Sequence, residues 1–256
     1  MGIPILILGE SGTGKSASMR NFKTDEVALA NVAGKPLPFK GKFAETINSD
    51  SYRAIKKFMK ESFANVVVID DAQYLMANEF MRRSAERGYD KFTEIAVNFW
   101  DLVQAVMELP EEKIVVFMAH IERDQNGNEK IKTIGKLLDE KITVEGMFTI
   151  VLKTSVSDGK FSFLTQNSGH DTVKSPIGLF EATEIDNDLK AVVDRVYHYY
   201  QMPGNEAEIP DDELPFDVEE KKDNGKEKEE KHTNSSEEEK KEETTTRKRR
   251  TRKERA

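Results

Sequence analysis

The sequence contains no cysteine. Disulfides and thiolate-held metal centres are therefore excluded. Long hydrophobic runs are also missing. The N-terminal apolar stretch, Ile3-Pro4-Ile5-Leu6-Ile7-Leu8, meets Gly9 after six residues. It is too short for a signal peptide or a membrane span. Met1-Gly2 hints at myristoylation, but Leu6 stands where that signal needs Ser or Thr. Tryptophan occurs once, as Trp100, and no internal repeat of useful length is visible. A cytoplasmic protein without membrane attachment is the simplest expectation.

Charge is what the chain has in quantity. Charged residues make up 34% of it, and the net charge is −8. Its 256 residues suffice for one domain of about 200 and a tail.

The most informative stretch is Gly9-Glu10-Ser11-Gly12-Thr13-Gly14-Lys15-Ser16. It follows an apolar strand and precedes the helix-compatible residues 17–22, which spells a P-loop, G-x-x-x-x-G-K-[ST]. A triphosphate needs many N–H donors at close range, so the backbone has to curl around it. Gly9, Gly12 and Gly14 permit that curl and leave no side chain in the way. A helix beginning near Lys15 would aim its amides and the positive end of its dipole at the phosphates. Lys15 adds a point charge for the β- and γ-phosphates, and the Ser16 hydroxyl is placed for Mg²⁺. The expected nucleotide-binding set is Gly9, Glu10, Ser11, Gly12, Thr13, Gly14, Lys15, Ser16 and Ala17.

Taken in order, residues 27–33 read as a second buried strand, broken by Gly34-Lys35-Pro36-Leu37-Pro38. Helical spacing of Tyr52, Ile55, Phe58-Met59 and Phe63 predicts an amphipathic helix over 51–62, with Arg53, Lys56, Lys57 and Lys60 on its solvated face. Val66-Val67-Val68-Ile69-Asp70-Asp71 is a strand apolar on both faces that ends in two aspartates. Ligands of open α/β sheets bind at such carboxyl ends. The stretch looks like a Walker B motif, with Asp70 holding Mg²⁺ beside Ser16 and Asp71 orienting or deprotonating water.

Residues 78–91 are polar and carry Arg82, Arg83, Arg87 and Lys91. Phe92 to Leu109 repeats at helical spacing and stops at Pro110, with Trp100 off the apolar stripe, as an exposed contact or a half-buried edge. Residues 114–120 form another apolar strand ending in His120, which is either structural or a polar sensor of the γ-phosphate. Residues 121–136 are polar and basic, with Arg123, Lys130, Lys132 and Lys136 around an Asn126-Gly127 turn. Residues 144–156 and 161–164 read as paired strands around Ser157-Asp158-Gly159. An irregular loop over 167–176 and a helix from Leu189 to Tyr200 complete an expected domain over 1–204.

Residues 205–256 are acidic through Glu243 and then basic at Arg247-Lys248-Arg249-Arg250-Thr251-Arg252-Lys253. Such a composition cannot bury enough apolar surface to offset ordering entropy, so a disordered tail is expected. Its basic end suits nucleic acid, or the two halves pair as a solubility tail.

Together these blocks resemble the RecA-like branch of P-loop ATPases, and most of all the AAA-type ATP-binding proteins of bacteriophage recombination modules. The resemblance spans roughly residues 1–200. It is carried by the 9–16 and 66–71 motifs, by Ala72-Gln73-Tyr74-Leu75, by Thr133-Ile134-Gly135-Lys136-Leu137-Leu138-Asp139, and by Thr165-Gln166-Asn167 with Lys174-Ser175-Pro176. It implies an α/β three-layer fold with a mostly parallel sheet and a C-terminal hairpin, and ATP and Mg²⁺ as cofactors. Lys15, Asp71, His120 and Lys174 would be catalytic, Lys174 by reaching a neighbouring subunit's γ-phosphate in a homo-oligomer. Single-stranded DNA would be held by the loops 78–91 and 121–136 through Arg82, Arg83, Arg87, Arg123, Lys130 and Lys132, and by the basic tail. One departure stands out. Relatives often carry a catalytic Glu at the end of the second strand, where this chain has Asn31 and Val32. Asp71 or Glu45 would do that work, or hydrolysis is slow.

Three functions compete at this level. One is an ATPase coupled to single-stranded DNA in phage recombination or replication. The second is a nucleoside or nucleotide kinase whose lid is Arg82, Arg83 and Arg87. The third is a nucleotide-gated interaction protein with little turnover.

Overall fold

Four continuous apolar runs become the interior of one sheet. In a computed structural model, which describes residues 1–203, the chain opens with β1 (Ile3–Gly9), a 3-10 turn at Ser16–Asn21, β2 (Val27–Asn31) and β3 (Glu45–Ile47). Then come α1 (Tyr52–Glu61), β4 (Val66–Asp70), α2 (Gln73–Arg82) and α3 (Asp90–Gln104). The second half contains β5 (Ile114–Arg123), β6 (Glu129–Ile131), β7 (Ile150–Ser157), β8 (Lys160–Leu164), β9 (Glu184–Asp186) and α4 (Leu189–Tyr199). The expected tail over 205–256 lies outside the described residues.

The strand order is β3-β2-β4-β5-β1-β7-β8-β9, with β6 paired only to β5. β3, β2, β4, β5, β1 and β7 run parallel, and β8 and β9 complete an antiparallel edge. This is a mixed α/β architecture around a mostly parallel sheet. Alternate side chains of each central strand enter opposite cores, as strand geometry requires. Leu6, Leu8, Val67, Ile69, Val115 and Phe117 pack on one face with Ile55, Leu75, Phe99 and Leu102 from α1, α2 and α3. Ile5, Ile7, Val66, Val68, Val116 and Met118 pack on the other with Met19 and with Leu189, Val193 and Val196 of α4. Burying a Leu or Ile side chain stabilises by about 1.5–3 kcal/mol, so both layers depend on these stripes.

Two helices start on side-chain caps. The Ser51 hydroxyl accepts from the Ala54 amide and starts α1, and the Asp188 carboxylate accepts from Lys190 and Ala191 amides to start α4. Trp100 lies off the α3 stripe and is 41% exposed. The hairpin turn uses left-handed backbone at Asp158 (φ 51°) and Gly159 (φ 77°), which matches the twist of β7 and β8.

Several expectations need correction. Residues 78–91 do not form a loop. α2 continues to Arg82 and α3 begins at Asp90, so only 83–89 connect them. Residues 121–136 are likewise not an open loop, because β5 runs on to Arg123 and folds back antiparallel onto β6. In both stretches local hydrogen bonding claimed a polar sequence that carries little apolar periodicity. Val144–Met147 is a 3-10 turn rather than the start of a strand. The helix after the glycine-rich loop is a 3-10 turn of six residues. It provides far less aligned dipole than a long α-helix. Among the described residues, no helix is long and apolar enough to cross a membrane.

Candidate functional site

The site follows from strand register. Gly9 at the end of β1 lies beside His120 of β5, and Asn31 at the end of β2 lies beside Asp70 of β4. Parallel strands thus deliver the 9–16 loop, His120, the two aspartates and the loop after β2 to one sheet edge. β5 lies between β1 and β4, which sets His120 between the loop and the aspartate pair.

The loop holds its shape through glycine. Gly12 (φ 78°) and Gly14 (φ 95°) occupy left-handed backbone. Gly9 needs its missing side chain for another reason: a Cβ there would meet Thr154 Oγ1 at 1.9 Å. Thr154 braces the loop through a 2.5 Å hydrogen bond between its hydroxyl and that of Thr13. The Thr13 hydroxyl also donates to the Glu10 carbonyl at 2.8 Å.

Lys15 is 6% exposed and tucked under the loop. Its ammonium donates to the Gly9 carbonyl at 2.9 Å and the Glu10 carbonyl at 2.7 Å. Burial pushes this ammonium below the ordinary lysine value, against the pull of Asp71 and Asp70. The Ser16 hydroxyl donates to Asp70 Oδ1 at 3.0 Å. Burial raises the Asp70 carboxyl, and the bond from Ser16 draws it partly back. Asp71 stands in left-handed backbone (φ 59°), a region Asp tolerates better than most residues. Burial pushes its carboxyl up, but hydrogen bonds from His120 and Lys35 outweigh that and hold it at about 2. His120 Nε2 lies 3.4 Å from Asp71 Oδ1, and Lys35 Nζ lies 3.0 Å from Asp71 Oδ2. The His120 backbone amide donates to Gln73 Oε1, and its ring meets Tyr74 edge to face.

These groups line a cleft of about 370 Å³. Ser11, Gly12, Gly14, Lys15, Ser16 and Ala17 line it from the loop and its 3-10 turn, and Lys35, Asp70, Asp71 and His120 from the other strand ends, with Phe161 of β8 beside Gly14. Among the described residues, no group of three His, Cys, Asp or Glu side chains converges on a metal position. Ser16 and Asp70 offer two hard oxygens 3.0 Å apart. That donor set suits Mg²⁺, which takes one or two protein oxygens and completes its shell with water and phosphate.

Several other expected residues lie away from this edge. Lys174 forms an isolated antiparallel bridge with Val151, which pairs with Leu6. That is three residues short of Gly9, about 10 Å down the sheet from the loop. Glu45 faces Ala28 in register, and its carboxylate accepts from the Phe63 and Ala64 amides. It caps a turn at the far end of the sheet and is no candidate for activating water. Arg82 pairs with Asp50, and Arg83 pairs with Glu79, Glu86 and Glu94. Both sit at the end of α2 away from Gln73, about 15 Å along the helix axis. Arg82 and Arg83 therefore lie away from the cleft. Lys91 is buried and donates to the Arg83 and Glu86 carbonyls. Arg123 pairs with Glu129 and Glu10, and Lys130 with Glu122, whereas Arg87 and Lys132 are exposed.

Lys35, Gln73, Thr154 and Phe161 were not singled out from sequence. A signal for Lys35 was present: it follows a parallel strand's carboxyl end, where polar residues converge on ligands. The others depend on cross-strand placement. Set beside known proteins, the chain matches no family model and no curated relative.

Proposed function

We propose that this chain is a RecA-like P-loop protein that binds ATP with Mg²⁺ and hydrolyses it slowly. One observation carries the reading. A buried lysine lies beneath a glycine-bent loop whose next residue, Ser16, bonds to the strand-end carboxylate Asp70 at 3.0 Å. A phosphate chain entering the cleft would exchange the carbonyl partners of Lys15 for phosphate oxygens, and the amides of 10–16 would surround it. Mg²⁺, when bound, would neutralise phosphate charge at Ser16 and Asp70.

Slow turnover follows from Asp71. Its carboxylate is held by the ring of His120, so it suits orienting water better than taking its proton. Asn31 stands where relatives often place a glutamate, and its amide bonds to the Lys35 carbonyl. The same observation favours a second reading, a nucleotide-gated interaction protein with little turnover.

Coupling to single-stranded DNA, with assembly into a homo-oligomer, remains part of the first reading. Exposed Arg87 and Lys132 and the basic run 247–253 supply cations for it. Arg82, Arg83, Arg123 and Lys130 would have to exchange carboxylates for phosphates. ATPase rate and solution mass, measured with and without single-stranded DNA, separate the readings. Stimulation and assembly support the DNA-coupled ATPase. ATP binding with neither leaves the gated binder, and no ATP binding at all removes both.

A further inference from the structure

The loop after β2 brings a second cation into the cleft. Asn31 is 8% exposed, and its side-chain amide donates to the Lys35 carbonyl at 2.7 Å. The Gly34 amide donates back to the Asn31 carbonyl at 3.3 Å, a turn that Gly34 closes with φ 63°. Pro36 and Pro38 restrict the backbone beyond. Lys35 therefore projects from a held backbone. Its ammonium lies 3.0 Å from Asp71 Oδ2 and 5.1 Å from the centre of the Tyr74 ring. It lines the same cleft as Lys15 and Ser16. Lys15 is buried beneath the loop, whereas the Lys35 side chain is 62% exposed and free to swing.

We propose that Lys35 is a terminal-phosphate contact that makes the cleft prefer a nucleoside triphosphate over a diphosphate. This inference rests on the phosphate-binding reading above. The inner phosphates would fall to the loop amides and Lys15. A third phosphate extends past Ser16 and Asp70 toward Asp71, where its charge would otherwise meet a carboxylate. Lys35 resolves that conflict by moving from Asp71 to the phosphate, which offers more charge and more acceptor oxygens. Asp71 keeps His120 and gains a free oxygen facing the terminal phosphate. A diphosphate does not reach Lys35 and leaves its pair with Asp71 intact.

Calorimetric titration of the full chain with MgADP and with a non-hydrolysable Mg–ATP analogue tests this. Lys35→Met should leave MgADP affinity within about twofold and weaken the triphosphate analogue about tenfold or more. Lys35→Arg should restore a substantial part of the preference. Thermal melting of each variant checks the fold, and loss of the partly exposed pair with Asp71 should lower the melting temperature only slightly. An unchanged triphosphate-to-diphosphate ratio in Lys35→Met, or an equal loss for both nucleotides, overturns the role of Lys35 and leaves the phosphate-loop reading standing. A wild-type chain that binds neither nucleotide overturns the phosphate-loop reading itself, and this inference with it.

Discussion

Each end of the sheet buries a lysine, and the two lysines differ in what surrounds them. Lys15, at the carboxyl end of β1, and Lys113, just before β5, are both 6% exposed. Both donate to main-chain carbonyls, and burial lowers both below the ordinary lysine value. Lys113 is enclosed by Ser62 and Ala64, whose carbonyls it reaches at 2.7 Å each, and Glu45 caps the neighbouring amides. Every partner there is internal, so the group staples the start of β4 to the start of β5. Lys15 opens onto a cleft with a hydroxyl, two carboxylates, a histidine and a second lysine. A buried lysine is thus no site by itself. An opening and converging oxygen donors distinguish a ligand's lysine from a structural one.

The sharpest way to break this comparison is to delete each ammonium. Lys15→Ala should lower ATP affinity about 100-fold or more, since a charged contact in a desolvated site is worth about 3 kcal/mol. Its urea midpoint should fall less than that of Lys113→Ala, because the cleft lets water replace the ammonium at the Gly9 and Glu10 carbonyls. Lys113→Ala should do the reverse. ATP affinity should hold, while unfolding free energy drops by about 2 kcal/mol because two buried carbonyls lose their donor. If Lys113→Ala weakens ATP binding as much as Lys15→Ala does, the two ends are not separate in function.

Asp70→Asn sharpens the contrast at smaller scale. Burial raises the Asp70 carboxyl, so its charged form costs the fold stability at neutral pH, and that cost fades as pH falls. The amide should match or exceed wild-type stability, by up to about 1 kcal/mol, while Mg²⁺-dependent nucleotide affinity collapses. A clear loss of stability would show that the carboxylate supports the fold.

The smallest effect concerns acid. Asp71 is held at about 2, well under its ordinary value of 3.8. A depressed carboxyl contributes stability that is complete above the ordinary value and is lost as pH falls through about 2. Wild type should therefore exceed Asp71→Asn by about 1 kcal/mol at pH 6, after solvent screening on the Lys35 side is allowed for. That gap should narrow between pH 4 and pH 2, read from urea midpoints. A gap independent of pH would mean the Asp71 charge does not matter.

Much of the frame was legible in the chain. Continuous apolar runs at 3–8, 66–69 and 114–119 can only be doubly buried strands, and their terminal Asp70 and His120 had to share a sheet edge once the strands ran parallel. Arg82, Arg83, Arg123 and Lys130 pair with carboxylates, which charge counted along the chain does not reveal. Asp50 lies far enough from Arg82 in sequence that only folding joins them, whereas Glu79 is a local partner four residues before Arg83. Lys35 went unnoticed for a related reason. Its turn looked like a strand breaker, and nothing local shows that Asn31 fixes it over Asp71.

By itself, then, the sequence determined the strands, the glycine-bent loop and the chemical types at the strand ends, because periodicity and backbone freedom are local properties. Tertiary structure alone decided the strand order, the pairing of Ser16 with Asp70, the clamp of His120 and Lys35 on Asp71, and the pairing of Arg82 with Asp50. Those depend on through-space distances between residues tens of positions apart, and Coulomb and hydrogen-bond energies follow distance in space.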